Sequence, residues 1–164
     1  MNREERIRKA EQAGIEAILR DDICARSAMV GIRDAFPEIP VELETASLSL
    51  AGGTGSANGS CGAYCAGLLA VGCLRNSTIA EELADPKHEK RGPAEFMEYR
   101  DRFLAQWGTV LCPKIHEQLF GRSWDLASDE GRDDYLGTPG HEQQCAKVVS
   151  SAIRIACEML MPEE

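Results

Sequence analysis

Apolar residues recur along the chain at helical spacing rather than strand spacing. Between Arg3 and Arg20 they fall at Ile7, Ala10, Gly14, Ile15, Ile18 and Leu19, which predicts an amphipathic helix. Asp21 or Asp22 is suited to cap a second helix through Cys24, Ala28, Met29, Ile32 and Phe36, which Pro37 ends. A short helix is predicted from Pro40 to Leu50. A glycine-rich run follows, and then an apolar helix from about Ser60 to Leu74. Asn76 and Ser77 break the pattern, and Ser77 or Thr78 can cap a short turn up to Ala84. Asp85 to Pro93 is charged, contains two prolines and reads as a solvated loop with His88 facing water.

Ala94 to Trp107 predicts another amphipathic helix, with Phe96, Met97, Phe103, Leu104 and Trp107 on one face. Cys112-Pro113 opens a short helix ending at Phe120-Gly121, with proline at its favoured early position. Ser123 to Gly140 is acidic and reads as irregular. The last helix runs from about Gly140 to Leu160, and Pro162 closes it. No run alternates as a strand does, and there is no internal repeat. The expected fold is all-α: one domain over residues 1–164, a bundle of about six to seven helices.

The bulk numbers agree with one soluble core. The chain has 164 residues, 43% of them hydrophobic and 27% charged. Its net charge of −9 repels phosphate backbones, so no nucleic-acid partner is expected, while a basic docking partner is compatible. The first residues, MNREERIRKAEQ, lack the apolar centre of a signal peptide. The longest apolar run, Ala63 to Leu74, is too short to cross a bilayer, so no membrane partner is expected and the cytoplasm is the default location.

The glycine run, LAGGTGSANGSCGAYCAGLLAVGC from Leu50 to Cys73, invites comparison with a phosphate cradle. It has no lysine, and Gly53-Thr54-Gly55 is followed by three residues before Gly59, one too many for a dinucleotide fingerprint. The glycines have another use. Before Cys61 they form a flexible lead-in that permits positive φ and sets the cysteine at a helix start. After it, Gly62, Ala63, Ala66, Gly67 and Ala70 make a small-residue face on which another helix, or a second copy in a homodimer, can pack closely.

Seven cysteines in a chain without an export signal argue against a secreted disulfide framework and toward metal, iron–sulfur or redox use. Cys24, Cys61, Cys112 and Cys145 each fall at a predicted helix start. There the helix dipole lowers a thiol's pKa and favours the thiolate, the form that attacks and that binds metal. Cys73 and Cys157 lie inside apolar helices and read as small core residues. Cys65, one turn after Cys61, is either a second thiol of the site or another packing residue. There is no C-x-x-C, no haem-type C-x-x-C-H and no ferredoxin-like run, so any four-cysteine site must be assembled by the fold.

His116 lies four residues after Cys112, and His141 four before Cys145. Each pair suits an activated nucleophile or a mixed metal site, against the plainer reading of a partly exposed helix histidine. The acidic residues Asp125, Asp129, Glu130, Asp133 and Asp134 lack calcium-loop spacing and read as solvated. Trp107, Trp124 and Tyr135 read as packing residues.

Cys24 in DDICARSAM, the run GGTGSANGSCGAYCAGLLAVG, Cys112 in FLAQWGTVLCPKIHEQLFG and Cys145 in HEQQCAKVVSSAIRIACEML together carry a resemblance. Over roughly residues 20–160 the chain resembles the redox-active family named for the pattern C_GCAxxG_C_C, and related sequence forms the non-haem part of split-Soret cytochromes. The glycine expected three residues after the alanine is Ala66 here, with Gly67 next, and Cys65 falls inside the motif. The resemblance implies a helical protein with a redox role, found mostly in anaerobes.

The resulting expectation is a small cytoplasmic redox or electron-transfer protein, an oxidoreductase or a component of one. Cys24, Cys61, Cys112 and Cys145 would converge on one site that holds an iron–sulfur cluster. Metal-free thiol–disulfide exchange, with Cys61 paired to Cys65 or to a cysteine of another helix, is one alternative. Zinc that locks the helices of a non-catalytic interaction or accessory subunit is the other. Under each, a redox or structural partner protein is implied but not identified by the sequence.

Overall fold

The first helix, α1 (Arg3–Asp21), starts on a capping box. The Asn2 side chain accepts from the Glu5 N–H at 2.8 Å, and the Glu5 carboxylate accepts from the Asn2 N–H at 2.9 Å. It stops at Asp22, which turns left-handed at φ 55°. Seen in a computed structural model that describes residues 1–85, 87 and 89–162, the chain continues through α2 (Cys24–Ala35), α3 (Val41–Ser47) with a 3-10 turn over Leu48–Leu50, and α4 (Gly62–Arg75). It ends with α5 (Ile79–Ala84), α6 (Pro93–Trp107), α7 (Cys112–Phe120), α8 (Asp129–Gly137) and α9 (His141–Leu160).

The class is all-α, but nine α-helices stand among the described residues where six to seven were expected. One addition is α5, whose six residues were expected as a turn; Thr78 caps it through the Glu81 N–H. The other is α8, in the segment expected to be irregular. It starts at Ser128, whose hydroxyl accepts from the Gly131 N–H at 3.0 Å, and it buries no residue, so it lacks the apolar stripe that reveals a helix in sequence. No strand occurs among the described residues, only one antiparallel bridge between Ser60 and Leu111.

The core forms where α1, α2 and α9 pack on one another and α4 packs against α2 and α9. Ile7, Ile18, Met29, Ile32, Val149 and Ile153 are fully buried there. Arg154 on α9 ties α9 to α1 through Glu4 and Glu11, at 3.1 and 2.6 Å. The small-residue face of α4 is used within the chain. A Cβ on Gly67 would lie 1.9 Å from the Tyr99 hydroxyl of α6, and one on Gly62 would lie 2.5 Å from the Leu50 carbonyl and 3.0 Å from the Cys24 sulfur. Only glycine allows these approaches, and the second brings the α2 and α4 cysteines together.

Three expectations about faces and caps are corrected. The buried face of α6 is Tyr99 and Phe103; Phe96 and Met97 are exposed, because the helix is rotated so that Tyr99 meets Gly67. Cys73, expected in the core, is exposed at the end of α4 beyond its buried face, whereas Cys157 is fully buried as expected. Neither Asp21 nor Asp22 caps α2. Its N-cap is Ile23, and the Asp22 carboxylate goes to His141 instead. His88 lies outside the described residues. Among the described residues no helix is long and apolar enough to cross a membrane.

Candidate functional site

Cys61 is the N-cap of α4, and Cys112 is the first residue of α7. The two segments are joined as a short bridge: the Cys61 N–H donates to the Val110 carbonyl at 2.7 Å, and the Cys112 N–H donates to the Gly59 carbonyl at 2.8 Å. This pairing sets the two cysteines side by side. The left-handed turn at Asp22 delivers Cys24 as the first residue of α2, and Cys145 lies in the second turn of α9.

The glycine run is not a slack lead-in. Thr54 N–H donates to the Leu50 carbonyl at 3.0 Å, Ser56 N–H to Ala51 at 3.0 Å, and Gly59 N–H to Gly53 at 2.9 Å. Thr54, Ser56 and Asn58 share positive φ with Gly52, Gly53 and Gly55. Non-glycine residues rarely adopt that region, and such strain persists only where surroundings over-determine it. Here Asn58 supplies the restraint. Its side chain donates to Asp125 at 2.7 Å and accepts from the Leu126 N–H at 2.8 Å, clamping the loop to the segment before α8.

Cys24, Cys61, Cys112 and Cys145 all line one cavity of about 60 Å³, with Asp22, His116 and Tyr135 on the same wall. Cys65 is not on that wall; its sulfur lies 3.6 Å from the Thr54 hydroxyl. Several donors face the cavity sulfurs. Backbone N–H groups of Gly52, Ala25 and Ala63 act on Cys24, and those of Tyr64 and Ala63 on Cys61, each favouring the thiolate. The Tyr135 hydroxyl is 3.1 Å from the Cys145 sulfur, and His116 Nε2 is 3.7 Å from that of Cys112. Among the described residues no three His, Cys, Asp or Glu side chains are grouped as for one metal ion.

The expected acidity of these thiols is overturned. Burial pushes all four up, Cys145 to about 12, and neighbouring cysteines push Cys61 and Cys112 further. Desolvation at this depth outweighs the helix dipole and the N–H bonds. The histidines also differ from the plain helix reading, since both are buried. His116 stacks on Tyr135 at 4.8 Å and 17°, with Phe120 and Trp124 at its edges. Burial, and then His141, hold its pKa down at about 4, and its Nδ1 has no hydrogen-bond partner among the described residues.

His141 Nε2 sits 2.6 Å from the Asp22 carboxylate, and its Nδ1–H donates to the Thr138 carbonyl, 2.8 Å away. Burial pulls its pKa down, but the Asp22 carboxylate, the Thr138 carbonyl and Glu142 outweigh that and raise it. A raised folded pKa stabilises below the unfolded value and is lost as pH rises through the folded one. From about pH 6 to about pH 8 the stability contributed by His141 is therefore expected to fall, while that of His116, held below the ordinary histidine value, rises. His141→Gln removes the falling contribution, so its urea midpoint should climb more steeply over that window than the wild type's.

Sequence reasoning brought out the four cysteines but not Asp22 or Tyr135 as cavity residues. Asp22 read as a cap and Tyr135 as packing, and neither carries a local signal for the cavity. A sequence model of the family described as "Putative redox-active protein (C_GCAxxG_C_C)" matches residues 23–159, a span that includes all four cavity cysteines. No curated protein and no solved structure matches the chain.

Proposed function

The chain belongs to the C_GCAxxG_C_C family of redox-active proteins, and on that premise we propose that Cys24, Cys61, Cys112 and Cys145 hold an iron–sulfur cluster through which the protein passes electrons. The observation that carries this reading is the shared cavity: four thiols from the first or second turns of four helices, far apart in sequence, line one space. The donor set fits such a group. Thiolates are its usual ligands, and N–H bonds to sulfur are among the features that set its potential. Bound there, a cluster supplies an electron couple in a site largely closed to water.

The chain's own residues do the rest. Cys24 and Cys61 offer sulfurs already facing backbone N–H groups, which favour the thiolate. Binding metal expels the thiol protons that burial otherwise retains. The raised thiol pKa values give less support to metal-free exchange, which needs a thiolate at neutral pH. All seven cysteines are free, which suits a reducing compartment such as the cytoplasm.

The test is anaerobic purification and reconstitution, followed by iron and sulfide analysis and visible absorption before and after dithionite. Iron and acid-labile sulfide in fixed ratio to protein, with a band that bleaches on reduction, is the expected result. Protein that retains neither after reconstitution overturns the reading. Bound zinc whose removal unfolds the chain would assign a structural role, and a reversible two-proton mass change at the cysteines would assign thiol exchange.

A further inference from the structure

Tyr135 stands out as the residue of its helix that lines the cavity. α8 buries no residue, yet Tyr135 reaches from it into the cavity wall. The ring is held on four sides: stacked on His116 at 4.8 Å, with Trp124, Phe120 and His141 at 5.3, 6.3 and 4.8 Å. The backbone that carries it is fixed as closely. The Trp124 indole N–H donates to Asp134 at 3.0 Å, Arg122 pairs with the same carboxylate at 2.7 Å, and Arg122 also lies over the Trp124 ring. A side chain at Gly131 would strike the Asp125 carbonyl at 2.0 Å, so α8 can approach the Asn58 clamp only with glycine there. The outcome is a phenol whose oxygen meets the Cys145 sulfur at 3.1 Å.

We propose that Tyr135 donates its hydroxyl hydrogen bond to the Cys145 sulfur, stabilising negative charge there and so raising the reduction potential of the group that the four cysteines hold. The direction of the bond follows from chemistry. A metal-bound cysteine has lost its proton and can only accept, and among the described residues the Tyr135 hydroxyl has no hydrogen-bond partner other than the Cys145 sulfur. An added electron increases the charge on the sulfurs, so a donor aimed at one of them favours the reduced state. No proton leaves the tyrosine in this role. Tyr135 is a tuning residue rather than a ligand, and α8 is the element that delivers it.

This inference rests on the cluster reading, so its test has two independent arms. Tyr135→Phe keeps the ring and its stacking partners while removing only the donor. In reconstituted protein the variant should bind the same iron and sulfide as the wild type, and its midpoint potential should be lower. Loss of one charged hydrogen bond shifts the reduction equilibrium by about tenfold, equivalent to about 59 mV for one electron. An unchanged potential in a fully loaded variant overturns the proposal, since a packing role would survive the substitution. If the wild type takes up no cluster, the functional reading fails and the second arm decides the donor. Iodoacetamide alkylation of Cys145 in metal-free protein, followed by peptide mass spectrometry at one pH, should be about tenfold slower in the variant, because the bond that favours the thiolate is gone. Equal or faster alkylation overturns it.

Discussion

Serine in place of Cys24, Cys61, Cys112 or Cys145 is expected to remove bound iron to the same extent whichever of the four is changed. The four sulfurs share one cavity, so the loss of any one opens the same site. Loss of a residue that merely supports a ligand weakens metal retention roughly 10–100-fold, and loss of a ligand should exceed that. The other three cysteines are internal controls. Cys73→Ser, at an exposed position, should leave iron and stability unchanged. Cys65→Ser, off the cavity wall, should retain iron. Cys157→Ser strands a hydroxyl in the core and should cost about 1–3 kcal/mol of stability with iron retained. Iron per chain and circular dichroism, measured across all seven variants, separate these outcomes. Mild and unequal effects within the first four would refute a shared site.

The helices that the hydrophobic pattern made legible are those that carry a stripe. Ile7 to Ile18 on α1, Ala28 to Ile32 on α2 and Val148 to Ala156 on α9 repeat at three and four residues because each faces the same core. α8 has no such stripe. Its position comes from Asn58 reaching Asp125 and Leu126 and from Trp124 reaching Asp134, side-chain bonds that leave no period in the sequence. α6 was legible as a helix but not in its rotation, because Gly67 on α4 selects Tyr99 rather than the equally apolar Phe96 and Met97.

The cysteines of the candidate site were legible for a local reason: Cys24, Cys61 and Cys112 stand where a helix begins, near Asp22, glycine or proline, and Cys145 lies in the early turns of the last helix. Their convergence and their acidity were not. Convergence depends on the Ser60–Leu111 bridge and on the absence of a side chain at Gly62, both of which act between segments far apart in the chain. Acidity depends on depth, which helix position does not reveal. The dipole at a helix start is worth about 0.3–1 kcal/mol at an exposed surface, and full burial of a charged group shifts a pKa by up to about 3–5 units. The same ignorance of depth concealed His116, whose cover of Trp124 and Tyr135 comes from the segment that carried no pattern.

Gly67→Ala is expected to lower stability by about 3 kcal/mol, the upper part of the usual range for overpacking. The added Cβ would stand 1.9 Å from the Tyr99 hydroxyl oxygen, 2.4 Å from Cζ and 2.8 Å from Cε2. A flexible side chain could swing aside, but Tyr99 is fully buried with its ring against Tyr64 at 5.6 Å. The remaining way out is for α4 and α6 to separate. At this chain length each kcal/mol corresponds to about 2–4 °C, so Tm should fall by roughly 6–12 °C. Tyr99→Phe identifies the cause. Its hydroxyl is buried with no hydrogen-bond partner among the described residues, so the single substitution should leave Tm unchanged or raise it. Combined with Gly67→Ala it removes the closest atom and should restore part of the loss, a coupling that a double-mutant cycle measures directly. The consequence reaches the site, because Cys61 caps the helix that must move. Gly67→Ala should therefore also loosen iron binding, and adding Tyr99→Phe should recover part of the iron and part of the Tm together. Additive effects of the two substitutions would mean that α4 and α6 do not meet at this contact.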